Sequence, residues 1–249
     1  MNPAPVGFQC PQCVAVATQA TRQPRTVAGG ALIAQPVVTY VLIGLNAVIF
    51  LLQWMVGVNE VANNWGMWPV AIGVGGEWWR LLTAAFLHGS FLHIAFNMYV
   101  LYALGPTLER ILGHARYLVL YLVAAIGGGV ASYAFSDMRT VSVGASGAIF
   151  GLMGAFVVAG RRLRYDITQV LILIGINVVI GFVSSSVDWR AHLGGLVTGA
   201  AVAAVMVLPS RAHRTVMQVG GVAAIVIVLA LITMWRTAQI QDLLGAITM

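Results

Sequence analysis

The sequence predicts an all-α polytopic membrane protein, a bundle of seven transmembrane helices. Of its 249 residues, 60% are apolar and 8% are charged, and the mean hydropathy is +0.91. A soluble domain carries about a quarter of its residues as charged side chains, because these cover its surface in water. The composition therefore excludes most soluble classes and intrinsic disorder, and two cysteines are too few for a disulfide scaffold.

Charged residues divide the chain into apolar windows, each long enough to cross a bilayer as a helix of about 17 to 25 residues. The predicted helices are Val37–Val56, Phe91–Leu108, Tyr117–Phe135, Ser146–Gly160, Thr168–Val183, Ala191–Leu208 and Val216–Trp235. The chain thus divides into an N-terminal segment (1–36), a six-helix core (37–208), and a seventh helix with a short tail (209–249).

The distribution of arginine predicts the orientation of these helices, because cytoplasmic connections are enriched in arginine. One set of connections carries Arg22, Arg25, Arg110, Arg116, Arg161, Arg162, Arg164, Arg211 and Arg214, and the other carries Arg80, Arg139, Arg190 and Arg236. We expect the first set and the N-terminus in the cytoplasm, and the C-terminus outside the cell membrane. Because the arginines separate apolar spans, the expected partner is the lipid bilayer and not nucleic acid.

The connection after the first helix, about residues 57–88, contains four of the seven tryptophans: Trp65, Trp68, Trp78 and Trp79. Tryptophan rings prefer the headgroup layer of a membrane. We therefore expect this first loop to lie in the interface and not to project into water.

The segment Cys10-Pro-Gln-Cys13 matches half of a zinc ribbon. A closed structural zinc site needs four ligands, and the chain has no further cysteine. The pattern favours two reduced thiols over a zinc site. No metal or organic cofactor is expected for catalysis.

Strongly polar groups at membrane depth are costly, so those in the spans are functional candidates. His88, His93 and Asn97 lie at the start of the second helix, Ser146 at the start of the fourth and His192 at the start of the sixth. All three starts face the predicted external side. One pocket in the outer leaflet could therefore collect these side chains.

The positions of these residues suit nucleophilic catalysis. Ser146 lies in the first turn of its helix, where unbonded N–H groups and the helix dipole favour a developing anion. A serine hydroxyl becomes a nucleophile when a base removes its proton, and a neutral histidine suits that role. Each of the helices that begin near Ser146 and His192 carries a stripe of small residues, which would let the two helices pack closely. The stripes are Gly147, Gly151 and Ala155 on the first of these helices, and Ala191, Gly195 and Gly199 on the second. A back-bonded packing serine and a proton-relaying histidine are the plainer alternatives.

Several motifs occur in a fixed order along the chain: Trp79-Arg80-Leu81-Leu82-Thr83, then His88, His93 and Asn97, then Gly144-Ala145-Ser146-Gly147, and finally Ala191-His192-Leu193-Gly194-Gly195. Together they resemble the successive signatures of rhomboid intramembrane serine proteases. The resemblance covers about residues 37–208, and the added seventh helix matches the family's six-plus-one form.

The resemblance implies a Ser-His dyad without a third carboxylate, with Ser146 as nucleophile and His192 as base. It implies an oxyanion hole formed by His93, Asn97 and the Ser146 amide.

Supporting roles follow from the same resemblance. His88 would hold local structure. Separately, the small residues Gly144, Ala145 and Gly147 around Ser146 are expected to line a space that favours a small substrate side chain before the cut. Phe150 would stack on the base where the family often has a tyrosine. Cys10 and Cys13 would be the remnant of a cytoplasmic zinc module.

The leading hypothesis is an endopeptidase that cleaves transmembrane segments of single-span proteins near the outer leaflet. Two alternatives remain: a transporter that relays protons through its histidines, and a catalytically inactive relative that binds client proteins. The absence of a mid-membrane acidic residue argues against the transporter, and the retained serine and histidine argue against the inactive relative.

Overall fold

The computed structural model of the chain is a bundle of long apolar helices, which confirms the all-α class. It describes residues 2–3, 5, 7–20, 25–184, 187–210 and 212–247, so Arg22 and Arg211 lie outside the described residues. Within those ranges the only strands are a two-residue antiparallel pair, β1 (Asn2–Pro3) and β2 (Phe8–Gln9).

The helices follow in chain order as α1 (Pro11–Ala20), α2 (Val37–Val56), α3 (Val58–Trp65), α4 (Pro69–Gly73), α5 (Arg80–Thr83), α6 (Phe91–Leu112), α7 (His114–Phe135), α8 (Ser146–Leu163), α9 (Thr168–Val183), α10 (Trp189–Val207) and α11 (Arg214–Ile247). Among the described residues, six helices are long and apolar enough to cross a membrane: α2, α6, α7, α8, α10 and α11. The fifth predicted span, α9, is apolar but has only 16 residues. At 1.5 Å per residue it is about 24 Å long, which is shorter than a typical hydrocarbon core of about 30 Å.

The predicted end of the second long helix at Leu108 is wrong, because α6 continues for another turn beyond Pro106. Glu109 explains the difference. Its carboxylate is fully buried and accepts hydrogen bonds from the backbone N–H of Val38 at 2.9 Å and of Thr39 at 2.8 Å. A charge that marks a boundary in the sequence therefore joins the end of α6 to the start of α2.

The predicted end of the last helix at Trp235 is also wrong, because α11 continues to Ile247. Arg236 does not end the helix, since its Nη2 donates to the carbonyl of Ser136 at 3.1 Å. The remaining predicted helix ends lie within three residues of the observed ones.

The first loop is itself folded into the short helices α3, α4 and α5. Arg80 is buried within it and holds it together. Its Nη1 donates to the carbonyls of Asn63 at 2.8 Å and Gly66 at 2.9 Å, and its Nε lies 2.5 Å from a carboxylate oxygen of Glu77. The rings of Trp65, Trp78 and Trp79 are about half exposed on its surface. The loop is therefore a compact layer with aromatic rings on its outside.

Helices α7, α8 and α10 form the centre of the bundle, and α10 packs most extensively against α8 and α7. The starts of α6, α8 and α10 share one end, which we name the Ser146 end. The first loop closes on the 136–145 connection at this end, through a bond from Trp68 Nε1 to the Met138 carbonyl and a backbone bridge between Met67 and Ser142. At the opposite end, named the Arg116 end, α7 and α11 begin.

Candidate active site

Ser146 is the first residue of α8, and the loop before it is shaped by Gly144. Gly144 has a φ of +138°, which L-residues rarely adopt, and its N–H donates to the Ala84 carbonyl at 2.9 Å. A Cβ at this position would lie 2.7 Å from Nε2 of His93 and 3.6 Å from Oγ of Ser146. The glycine therefore leaves room for the His93 ring beside the serine hydroxyl.

The predicted stripes of small residues bring the backbones of α8 and α10 into contact. A Cβ on Gly147 would lie 3.3 Å from the carbonyl oxygen of Ala191. A Cβ on Gly195 would lie 1.9 Å from the carbonyl oxygen of Gly147, and one on Gly199 would lie 2.2 Å from that of Gly151. The residues next to Ser146 and His192 in sequence therefore touch, which confirms the predicted close approach.

His192 lies in the first turn of α10 and is buried. Its ring stacks on that of Phe150 in α8, with centroids 4.2 Å apart and planes inclined by 12°. Its Nδ1 is buried without a hydrogen-bond partner in the part of the chain that the structure describes. Among the described residues, no hydrogen bond joins Ser146 to this Nδ1, and bonds between nucleophile and base are often long before substrate binds.

His93 and Asn97 approach the serine from α6. The Gly89 N–H donates to Nδ1 of His93 at 3.4 Å, so the neutral ring carries its proton on Nε2, the atom nearest Gly144. Asn97 is buried, and its Nδ2 donates to the carbonyl of His93 at 2.8 Å. An amide nitrogen has two N–H groups, so Asn97 retains one for a ligand.

His88 is fully buried behind His93, in the turn before α6. Its ring meets the His93 ring edge-on, with centroids 5.1 Å apart. Its backbone N–H donates to Oε1 of Gln53 at 2.9 Å, and its carbonyl accepts from Nε2 of the same glutamine. Gln53 in α2 thus anchors the turn that carries His88, a contact that sequence reasoning missed.

Comparison with known proteins identifies the family of the chain. A family model described as the Rhomboid domain matches residues 75–209, which is more than half of the chain. The chain belongs to the rhomboid family of intramembrane serine proteases. It is a multi-pass membrane protein.

Three rhomboid relatives show how far the likeness extends. Rhomboid protease GluP of Bacillus subtilis (strain 168) is 39% identical over 183 residues, which cover 70% of this chain and 36% of GluP. Putative rhomboid protease YdcA of the same organism is 38% identical over 170 residues, or 66% of this chain and 85% of YdcA. Rhomboid protease AarA of Providencia stuartii is 29% identical over 192 residues, or 66% of each chain. The chain therefore spans about a third of GluP and most of YdcA.

Sequence reasoning also missed Asp188, the residue before α10 of this rhomboid. Its Oδ1 accepts from the backbone N–H of Arg190 at 3.2 Å and of Ala191 at 3.3 Å, and its Oδ2 is hydrogen-bonded to the hydroxyl of Ser132 in α7. An aspartate directly before an apolar helical run is an N-cap signal, which could have found it. No sequence signal points to Ser132 as its partner.

Cys10 and Cys13 are free thiols far from this site in sequence. The Cys13 N–H donates to Sγ of Cys10 at 3.1 Å, and the hydrogen bond between the two thiols lowers the pKa of Cys10. Within the described ranges, no group of three His, Cys, Asp or Glu side chains could hold a metal ion.

Proposed function

We propose that the chain is an intramembrane serine endopeptidase that cleaves transmembrane segments of single-span proteins near the outer leaflet. Ser146 is the nucleophile and His192 the base. The observation that carries this proposal is the backbone contact between α8 and α10, which brings the first turns that hold Ser146 and His192 side by side. The stacking of His192 on Phe150 supports it, because the ring is held in one orientation.

The proposed reaction begins when His192 takes the proton from Oγ of Ser146 as Oγ attacks the substrate carbonyl carbon. The resulting oxyanion accepts hydrogen bonds from Nε2 of His93, the free N–H of Asn97 and the Ser146 backbone. The C–N bond then breaks, and His192 gives its proton to the leaving amine. Water hydrolyses the acyl-enzyme by the same route and restores the serine hydroxyl.

The substrate must present an opened helix, because helical carbonyls are hydrogen-bonded and shielded. Glycine or proline near the cut lowers the cost of opening by roughly 1 to 3 kcal/mol relative to alanine. The space beside Gly144 is taken by the His93 ring and that beside Gly147 by the α10 backbone, so the expected preference for a small side chain before the cut, such as alanine, rests on the family resemblance.

The experiment that tests this activity uses the full chain in liposomes with a labelled transmembrane peptide. The peptide carries alanine before the expected cut and glycine after it. We expect cleavage by the wild-type protein and none by Ser146→Ala. Equal cleavage by both proteins, or none by either, would reject the proposed activity.

For the oxyanion site, we expect Asn97→Ala to reduce kcat about a hundredfold with little change in KM, because its N–H acts in the transition state. Asn46→Ala in α2 is the matched control. Asn46 is equally buried and donates in the same way to the carbonyl four residues before it, at 2.7 Å, but lies outside the site. A rise in KM at normal kcat would instead make Asn97 a substrate contact.

For topology, we propose seven crossings that include α9, with the N-terminus and the Arg116 end in the cytoplasm. Arg162 and Asp137 are exposed at opposite ends of the bundle. In a background with Cys10→Ser and Cys13→Ser, we expect Arg162→Cys to be protected from an impermeant thiol reagent added to intact cells and Asp137→Cys to be labelled. The reverse labelling would place the active site at the cytoplasmic face.

A further inference from the structure

A tight turn at residues 26–30 closes the Arg116 end of the bundle. The Thr26 N–H donates to the Gly30 carbonyl at 2.9 Å, and the Gly30 N–H donates to Oγ1 of Thr26 at 2.9 Å. Gly29 has a φ of +87° and, like Gly30, has no side chain to fill the space beside it. The two glycines are buried, and other groups lie directly against their backbone.

Three guanidinium groups from different segments converge on this turn. Arg25 Nη1 donates to the Gly29 carbonyl at 3.2 Å. Arg214, at the start of α11, places Nη1 at 2.8 Å from where a Cβ of Gly29 would lie, and Arg116 in α7 places Nη1 at 3.2 Å from the equivalent point on Gly30. A side chain at Gly29 would displace the Arg214 guanidinium group, whereas one at Gly30 would first meet the Leu112 carbonyl oxygen at 2.6 Å and then Arg116 Nη1.

No carboxylate of the described residues forms an ion pair with this cluster. In the described part of the chain, none of the three arginines has a carboxylate within 4 Å. The nearby Glu109 is occupied by the start of α2 and by Nδ1 of His114, 2.5 Å away. The buried Nε of Arg214 has no hydrogen-bond partner among the residues that the structure describes.

Neutral partners orient the cluster without cancelling its charge. Nε of Arg116 donates to Oε1 of Gln218 at 3.0 Å, and Nε2 of Gln218 donates to the Ala28 carbonyl at 2.9 Å. Gln218 thus links α7, α11 and the turn. Three oriented cations without an acid form a site that an anion would complete.

We propose that Arg25, Arg116 and Arg214 bind the phosphate of an anionic phospholipid headgroup. Arg116 and Arg214 lie in the first turns of two long apolar helices, the depth at which the headgroups of the adjoining leaflet lie. Basic pockets between transmembrane helices bind such headgroups, and guanidinium groups match the geometry of phosphate oxygens. This site lies at the opposite end of the bundle from Ser146, and it does not depend on the proposed protease activity.

The test is thermal unfolding of the purified full chain in neutral detergent, titrated with short-chain phosphatidylglycerol, with phosphatidylcholine, or with inorganic phosphate. We expect phosphatidylglycerol to raise the unfolding temperature more than phosphatidylcholine does, because a ligand of the folded state stabilises it. Each arginine is expected to raise the affinity for the lipid about fivefold. Arg116→Gln should therefore weaken binding about fivefold, and the triple variant with Arg25, Arg116 and Arg214 all changed to glutamine about a hundredfold. Equal stabilisation by inorganic phosphate would assign the bound group to a free anion.

The matched control is the triple variant Arg161→Gln, Arg162→Gln, Arg164→Gln. It removes the same charge from exposed positions at the end of α8. We expect it to keep the response to phosphatidylglycerol. Equal responses to the two lipids in the wild type, or equal loss in both triple variants, would overturn the proposal. If the variant with all three cluster arginines changed to glutamine does not fold, the three single variants provide the test. A wild-type response to phosphatidylglycerol in all three, including that of the exposed Arg25→Gln, would also overturn the proposal.

Discussion

Ser146→Ala and His192→Ala should each reduce proteolysis at least about 10⁴-fold, and the double variant should be scarcely slower than either single variant. The two side chains share one proton transfer, so the loss of either removes the same step. The measurement is kcat on the labelled transmembrane peptide in liposomes for the wild type, both single variants and the double variant.

Two controls separate this effect from general damage to the protein. Ser142→Ala changes a serine whose backbone pairs with Met67 of the first loop, and His213→Ala changes an exposed histidine at the Arg116 end. We expect both to cleave at wild-type rates. Losses that multiply in the double variant would show that Ser146 and His192 act independently, which would reject the proposed dyad.

The starts of the helices that carry the site could be predicted from the sequence, because apolar windows and motif spacing locate them. Phe91 and Ser146 begin their helices where predicted, and α10 begins at Trp189, two residues before the predicted Ala191. The meeting of α8 and α10 could be predicted too, since stripes of glycine and alanine have few structural uses other than close packing.

The two wrongly predicted helix ends arose because a charged residue was taken as the boundary of a helix. Glu109 and Arg236 each find partners on another helix, so the chain continues through them. Their partners lie about 70 and 100 positions away in sequence, which no local pattern reveals. The same limit explains why the contacts of His88 with Gln53 and of Asp188 with Ser132 emerge only from the fold.

Gly195→Ala should reduce kcat at least about a hundredfold and destabilise the fold by about 1 to 3 kcal/mol. The added Cβ would lie 1.9 Å from the Gly147 carbonyl oxygen and 2.6 Å from its carbon. Because these are backbone atoms, the clash can be relieved only if α10 moves away from α8 by about 1 Å. A misplacement of catalytic groups on that scale lowers the rate about a hundredfold. The measurements are peptide cleavage in liposomes and thermal unfolding in detergent.

The same substitution at other glycines gives a graded series. Gly147→Ala should have a smaller effect than Gly195→Ala, because its Cβ would lie 3.3 Å from the Ala191 carbonyl oxygen and the helices need shift by only a few tenths of an ångström. Gly175→Ala in α9 meets nothing within 4 Å, so it should keep wild-type activity and gain helix stability of up to about 1 kcal/mol. The order Gly195, Gly147, Gly175 in lost activity follows directly from the spacing of α8 and α10. Wild-type cleavage by Gly195→Ala would mean that the contact between the two helices does not position His192 against Ser146, and the geometric basis of the proposed dyad would fail with it.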